Sequence, residues 1–439
     1  MHDLPPPRPP LAFLCAFVAA APAPAFGQVS STSIGSNVRL LTAPVRFERL
    51  VGVAVGADAA AIANAVGATL EDRFGDGVTS LGLNGPGSVS RFTWPDAAGA
   101  RTGIQALAQS ADVVFVERNT RAGPYETSGC DAFGQVSAQQ CTAAFFDGTP
   151  TLPEYSDQPA LPAIDLFGLS PSVPGAVTLV AVIDTGVDPA HSALSGRLAG
   201  PGYDFVANAP GGFDVENGVD DDGDGLVDEA FGHGTHVAGT ITLIDPDALV
   251  LPYRVLDADG NGTAFDVALA MRQAGADGAQ FVNLSLGLAA PSEAVYAAIE
   301  SLDDDCIVFA SAGNTGLPVV GNPARRDDVI AVAAVDEFGV LASFSAHGRA
   351  IDLVAPGIEI YGPMPGERWA RWSGSSMAVA VASGAASRLH SWRMTHDPGD
   401  TVEALIGTAF TVDPLRPGAA GLLGTGLIQL GAAGDELAD

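Results

Sequence analysis

The stretch "VTLVAVIDTG" (177–186) decides the fold. From Leu179 to Ile183 every side chain is apolar, then the run stops at Asp184 with Gly186 close behind. An uninterrupted apolar run of strand length, with no polar alternation, reads as a strand buried on both faces, and such strands belong to parallel sheets covered by helices. The runs that follow repeat the pattern. "ALVLPYRVL" (248–256), "FVNLSLG" (281–287), "CIVFASAGN" (306–314) and "VIAVAAV" (329–335) are strand-like. "HGTHVAGTITLI" (233–244), "AFDVALAMRQAGADG" (264–278) and "AVYAAIESL" (294–302) carry helical patterns between them. Alternation of this kind predicts an α/β fold, a mostly parallel sheet with helices on both faces, over residues 158–439. Sites in such folds form at the carboxyl ends of the strands, and Asp184, Ser285 and Asn314 each stand where an apolar strand gives way to a glycine-containing turn.

Upstream, residues 31–119 read as a separate small domain. Apolar Leu50–Val55 is followed by an alanine-rich helix pattern opened by Asp58. Two strands are expected at Thr79–Leu83 and Ser88–Trp94, then a second helix from Asp96 to Ser110, then "DVVFVERN" (112–119). Asp at both helix starts supplies an N-cap. The order is βαββαβ, the ferredoxin-like arrangement. Periodicity disappears over residues 120–157, which serve as a linker.

The first 25 residues have the form of an export signal: Arg8, an apolar run from Leu11 to Ala21, and a small-residue stretch with Ala23 and Ala25 at an A-x-A site. The run is too short to span a bilayer, and no later segment is long and apolar enough to anchor the chain. A secreted or periplasmic location is expected, with Cys15 lost with the signal. Cys130 and Cys141 flank a polar stretch of the linker where an oxidising compartment permits a disulfide. Cleavage between them would then leave the two parts covalently joined. Cys306 reads as a small buried hydrophobe. The net charge is -31 and the basic residues are all Arg, so no basic patch is available to displace phosphate counterions and nucleic acid is excluded as a partner.

Three segments carry nucleophile chemistry. Serine needs an adjacent base, and the base needs a carboxylate to hold its tautomer. Asp184 ends a strand in a D-T-G turn. His233 in "GHGTHVAGT" lies between two glycines that permit close approach. Ser376 in "SGSSMA" opens the small-residue helix "SSMAVAVASGAASRL" (375–389), where free N–H groups stabilise an oxyanion. Ser373 and Ser375 are rivals for the nucleophile on chemistry alone. A metal reading of His233 with His236 meets the wrong spacing, i and i+3 with no Glu between.

The three segments in this order, with "YRVLDADGNGT" (253–263), "FVNLSLG", "ASAGN", "LASFSAHG" (341–348) and "LVAPG" (353–357), resemble the subtilisin-like serine proteases over about Tyr155 to Ala433. The resemblance implies that Asp184 orients, His233 acts as base and acid, and Ser376 attacks. It implies an oxyanion-hole side chain at Asn314 and a substrate cleft at Ser285, Leu286, Gly287, Ala312 and Gly313. The partners it implies are polypeptide substrates and the chain's own N-terminal domain, as an inhibitory propeptide released by cleavage in the linker; a monomer is expected. Four positions depart from the family pattern: Ser375 for Thr before the nucleophile, which keeps a hydroxyl, Ala380 for Pro and Val381 for His behind it, and Leu288 for a second Gly after "SLG", which narrows the first specificity pocket. The competing reading is a silent pseudoprotease that binds proteins. An esterase would carry a G-x-S-x-G elbow, which is missing.

No cofactor is needed for this chemistry. In "DVENGVDDDGDGLVDE" (214–229), Asp220, Asp222, Asp224 and Asp228 echo the ligand spacing of calcium loops, without a Glu at the twelfth position. A structural calcium site and a solvated acidic loop both fit that pattern.

Overall fold

In the computed structural model the described residues are 47–74, 88–123, 144–146, 155–169 and 177–438, apart from 222, 224, 303–304, 393–395 and 416. The expected signal, the strand at Thr79–Leu83 and the pair Cys130 and Cys141 lie outside them.

The N-terminal part forms β1 (Phe47–Val53), α1 (Ala59–Ala65), β2 (Thr69–Phe74), β3 (Ser88–Trp94), α2 (Ala97–Leu107) and β4 (Val113–Glu117). Its antiparallel sheet has the order β2-β3-β1-β4, as the ferredoxin-like pattern requires. Among the described residues the strand before β3 is Thr69–Phe74, entered where α1 stops at Ala65 and the chain turns through Gly67 at φ +66°. Asp58 and Asp96 cap the two helices, their carboxylates accepting from Ala60, Ala61 and Gly99 amides. Val51, Val53, Phe92, Trp94 and Leu107 pack between sheet and helices.

Two short strands follow, β5 (Arg121–Gly123) and β6 (Ala144–Phe146). Then the large sheet begins with β7 (Leu179–Asp184), β8 (Tyr203–Asp204) and β9 (Ala209–Pro210). It continues through α3 (His233–Ile244), β10 (Leu249–Arg254), β11 (Gly262–Thr263), α4 (Ala264–Ala276), β12 (Phe281–Leu284), β13 (Gly287–Leu288) and α5 (Glu293–Glu300). After these come β14 (Ile307–Ser311), β15 (Ile330–Val335), β16 (Leu353–Pro356), the hairpin β17 (Ile360–Met364) and β18 (Arg368–Trp372), α6 (Ser375–Trp392), α7 (Pro398–Gly407) and α8 (Leu430–Ala438). The eight-stranded order is β16-β15-β14-β12-β7-β10-β8-β9, parallel except at the β8/β9 edge.

Along β7 the side chains divide by period two. Val180 and Val182 join the cluster holding α3 and α6, whereas Ala181 and Ile183 join the one holding α4 and α5. Both faces are therefore dry, which explains the unbroken apolar run. Half-buried Cys306 packs against the second cluster. Close packing around α3 needs small residues: a Cβ on Gly384 of α6 would sit 3.1 Å from the Ile241 Cα, and one on Gly239 would meet Pro363 Cγ of β17 at 2.1 Å. Ala380 and Val381 are buried within an unbroken α6, so the departures from the family pattern leave that helix intact.

Candidate active site

Asp184 is the last residue of β7, so its backbone is fixed by the ladder to β10, while β12 pairs with the strand as far as Val182. His233 opens α3, and Gly232 before it holds φ +91°, a turn that admits only glycine without strain. His233 Nδ1 lies 2.7 Å from Asp184 Oδ1, with both side chains fully buried. Neighbouring backbone sets this geometry. Asp184 Oδ1 also accepts from the Thr185 amide at 2.7 Å, and Thr185 Oγ1 accepts from the Gly234 amide at 3.0 Å, tying the strand end to the helix start. A side chain on Gly234 would put its Cβ 2.2 Å from the Gly186 carbonyl. Glycine there is what lets α3 dock this closely.

Ser376 is the second residue of α6, where backbone N–H groups lack helical acceptors. It is locked to Ser285 in both directions: Ser376 Oγ donates to the Ser285 carbonyl at 3.0 Å, and Ser285 Oγ donates to the Ser376 carbonyl at 2.9 Å. Asn283 Nδ2 donates to Ser285 Oγ at 2.8 Å, and its Oδ1 accepts from Ser383 Oγ at 2.9 Å. Sequence reading missed this role of Asn283, although a buried Asn inside an apolar strand was the available signal. The two rival serines have other partners. Ser375 Oγ accepts from the Gly313 amide at 3.1 Å, and Ser373 Oγ accepts from the Glu359 amide at 2.8 Å. All three hydroxyls bond backbone, and Ser376 alone shares a reciprocal pair with Ser285.

Asn314, three residues beyond β14, accepts the Ser375 amide on its Oδ1 at 2.9 Å. That bond orients the side chain beside the start of α6. Ala312 and Ser285 are buried at the same end of the sheet. Trp372, also unforeseen, lies edge-to-face with His233 at 5.2 Å between centroids and with His236 at 5.8 Å. His236 Nε2 is 3.0 Å from the Ile360 carbonyl, so its ring braces the hairpin rather than joining a metal site.

A second carboxylate stands behind the first. Asp214 Oδ2 accepts from Thr235 Oγ1 at 2.9 Å, and Thr235 Oγ1 accepts from the Asp188 amide at 2.9 Å. Burial, helped by the Asp184 charge, pushes the Asp214 carboxyl up to about 8, against the pull of its hydrogen bonds from Thr235 and Gly232.

The substrate-side residues meet a strand from the N-terminal part. β5 lies between β11 and β13, antiparallel to both, with Ala122 opposite Gly262 and Leu288, and Gly123 opposite Gly287. Leu288 is buried here, against Ala122, and its amide donates to the Asn322 carbonyl at 2.8 Å.

The acidic loop does not assemble an ion site among the described residues. Asp222 and Asp224 fall outside them. Asp220 accepts the Gly223 and Gly225 amides, at 2.6 and 3.0 Å, and Asp228 accepts those of Asn217 and Gly218, at 3.0 and 2.7 Å. Buried Asp259 fastens the loop by accepting the Asp221 and Asp228 amides. These carboxylates close turns of the loop.

Residues 175–426 match the Subtilase family. The chain is 39% identical over 223 residues to the thermophilic serine proteinase of Bacillus sp. (strain AK1), covering 48% of this chain and 52% of that one. It is 33% identical over 269 residues to subtilisin BL of Lederbergia lenta, covering 59% of this chain and 91% of that one. It thus spans about half the length of the first relative and nearly all of the second. Among solved structures, fervidolysin from Fervidobacterium pennivorans superposes with a TM-score of 0.64 at 24% identity, covering 89% of this chain and 61% of that one.

Proposed function

The chain belongs to the subtilase family of serine peptidases, and from that premise we propose that it hydrolyses peptide bonds through Asp184, His233 and Ser376. The observation that carries the reading is the buried 2.7 Å Asp184–His233 pair, in a chain whose Ser376 is held at a helix start by the reciprocal bonds to Ser285.

In this mechanism Ser376 Oγ attacks the scissile carbonyl carbon while His233 Nε2 takes its proton. The new C–O bond places negative charge on the carbonyl oxygen, which the Asn314 amide and the N–H groups at the start of α6 stabilise. Asp184 supports the imidazolium. The C–N bond then breaks, His233 delivers its proton to the departing amine, and water repeats the sequence in reverse to free the acid and Ser376. Every group comes from the chain itself.

The N-terminal part is proposed as an intramolecular inhibitor in an exported precursor. Support comes from β5, which occupies the edge between β11 and β13 that an extended substrate would need. Two further contacts favour docking of this part. Glu117 accepts from Ser292 Oγ and from the amides of Glu293 and Ala294, at 2.8, 2.8 and 3.0 Å, and Asn119 Oδ1 accepts from the Phe265 amide at 3.0 Å.

A fluorophosphonate probe tests the reading. Labelling at Ser376, lost in Ser376→Ala and accompanied by casein hydrolysis, is the expected result. An unlabelled protein would instead be a binding module.

A further inference from the structure

We propose that the cleft selects substrates with glycine at one fixed position, two residues before the residue whose bond is cut, and a small apolar residue immediately ahead of that glycine. The inference rests on the peptidase reading above and names the substrate class for it.

The strand already seated in the cleft provides the template. Ala122 is 4% exposed and belongs to the apolar cluster that includes Phe265, Leu286 and Leu288. Its methyl group is buried opposite Leu288, which stands where the family pattern has glycine. At Gly123 the limit is harder. Its φ is outside the left-handed region, so glycine is not demanded by the backbone there. It is demanded by room, because a Cβ would lie 2.7 Å from the Gly260 carbonyl oxygen.

That oxygen is poorly placed to retreat. Gly260 sits in a turn closed by the Gly260 amide on the Asp257 carbonyl at 3.1 Å and by the Asp257 amide on the Asn261 carbonyl at 2.9 Å. Asp257 Oδ1 also accepts the Asn261 amide at 2.7 Å. On the other side, β13 is held by Leu288 and by the Ser285–Ser376 pair. A substrate residue with a side chain must therefore push apart two fixed strands.

Register locates the cut. Gly123 is opposite Gly287, and the strands run antiparallel. Ser285 precedes Gly287 by two residues, and its carbonyl accepts from the nucleophile Oγ at 3.0 Å. In an extended peptide the second residue after the glycine thus faces Ser285, and its carbonyl is the one presented to Ser376. The selected pattern is a small residue, Gly, then two residues, then the scissile bond. The chain's own sequence after Ala122-Gly123 continues Pro-Tyr, which supplies a natural probe.

The test compares succinyl-Ala-Gly-Pro-Tyr-p-nitroanilide with its Ala-Ala-Pro-Tyr and Phe-Gly-Pro-Tyr counterparts, using the protein obtained by expressing the full chain. The first peptide should exceed each of the others in kcat/KM by about tenfold or more, the effect expected of overpacking by one side chain. Equal or faster hydrolysis of the Ala-Ala peptide overturns the inference while leaving the peptidase reading in place. Failure on all three peptides and on casein, with no fluorophosphonate labelling, overturns the peptidase reading and this inference with it. A second measurement needs no turnover. In the full chain carrying Ser376→Ala, adding Gly123→Ala should speed amide exchange at Gly262, Ala264 and Gly287 by about tenfold. Unchanged exchange also overturns it.

Discussion

Replacing Asp214 by Asn tests whether the second carboxylate near the active site is carried at a cost. Its carboxyl titrates at about 8 in the folded protein against 3.8 unperturbed, chiefly because it is buried. The folded state keeps this proton while the unfolded chain gives it up near pH 4. The contribution to stability is therefore complete below pH 4 and is lost as pH rises toward 8, with a slope of up to about 1.4 kcal/mol per pH unit. Four units correspond to about 6 kcal/mol, and solvent access at the edge of the residue reduces this to about 3 kcal/mol. Asparagine carries no charge at any pH, and its carbonyl can still accept from Thr235. Its NH2 group enters the enclosed position of Oδ1, which has no partner, adding a penalty of about 1–2 kcal/mol that is independent of pH. The prediction therefore concerns a difference of differences. Urea midpoints of Ser376→Ala and Ser376→Ala/Asp214→Asn, compared at pH 4, 6, 8 and 9, should show the Asn variant gaining about 3 kcal/mol relative to its parent between pH 4 and pH 9. A gap that stays constant over that range would refute the reasoning.

Asp184→Asn should lower kcat by about four orders of magnitude with little change in KM, since it supplies the wrong partner for Nδ1–H; steady-state kinetics on a peptide anilide checks this. Asn314→Ala should cost about 100- to 1,000-fold in kcat, and a loss below tenfold would remove it from the oxyanion site. Arg254 and Asp204 form a buried pair at 2.8 Å, so Arg254→Met should destabilise by about 3–5 kcal/mol in urea titration, and adding Asp204→Leu should recover most of that loss. Gly234→Ala should depress both melting temperature and kcat, because its Cβ would lie 2.2 Å from the Gly186 carbonyl and force α3 away from Asp184; full activity in that variant would contradict the packing argument.

The parallel sheet was legible because burial on both faces leaves a one-dimensional mark, the unbroken apolar run before Asp184. The proposed nucleophile was less so: Ser373, Ser375 and Ser376 are equivalent in composition, and only the third makes the reciprocal bonds to Ser285. β2 at Thr69–Phe74 was not read from the sequence because α1 is only seven residues long and the alanine run gives no stop signal beyond Gly67. Asp214 and Asp259 were hidden for a related reason. Acidic residues in a glycine-rich loop look alike in sequence, and which of them turns inward depends on contacts with Thr235 and with the amides of Asp221 and Asp228.

The two helices on the far face from Ser376 show how the N-terminal part and the large sheet depend on each other. The first amides of a helix have no acceptors within it, and leaving them unmet costs about 1 kcal/mol or more apiece when water is excluded. In α4 the Ala264 amide is accepted by the Thr120 carbonyl, and the Phe265 amide by Asn119 Oδ1. In α5 the Glu293 and Ala294 amides are accepted by Glu117, which also takes the Ser292 hydroxyl. Burial raises the affinity of the Glu117 carboxyl for protons, opposed by those same donors. Departure of the N-terminal part thus removes acceptors from both helices at once, and Thr263 Oγ1 and Ser292 Oγ remain as the caps within the large sheet's own chain. Glu117 and Asn119 lie only a few residues ahead of β5, so the segment that satisfies the helix starts and the segment that fills the cleft are held by one short run of chain.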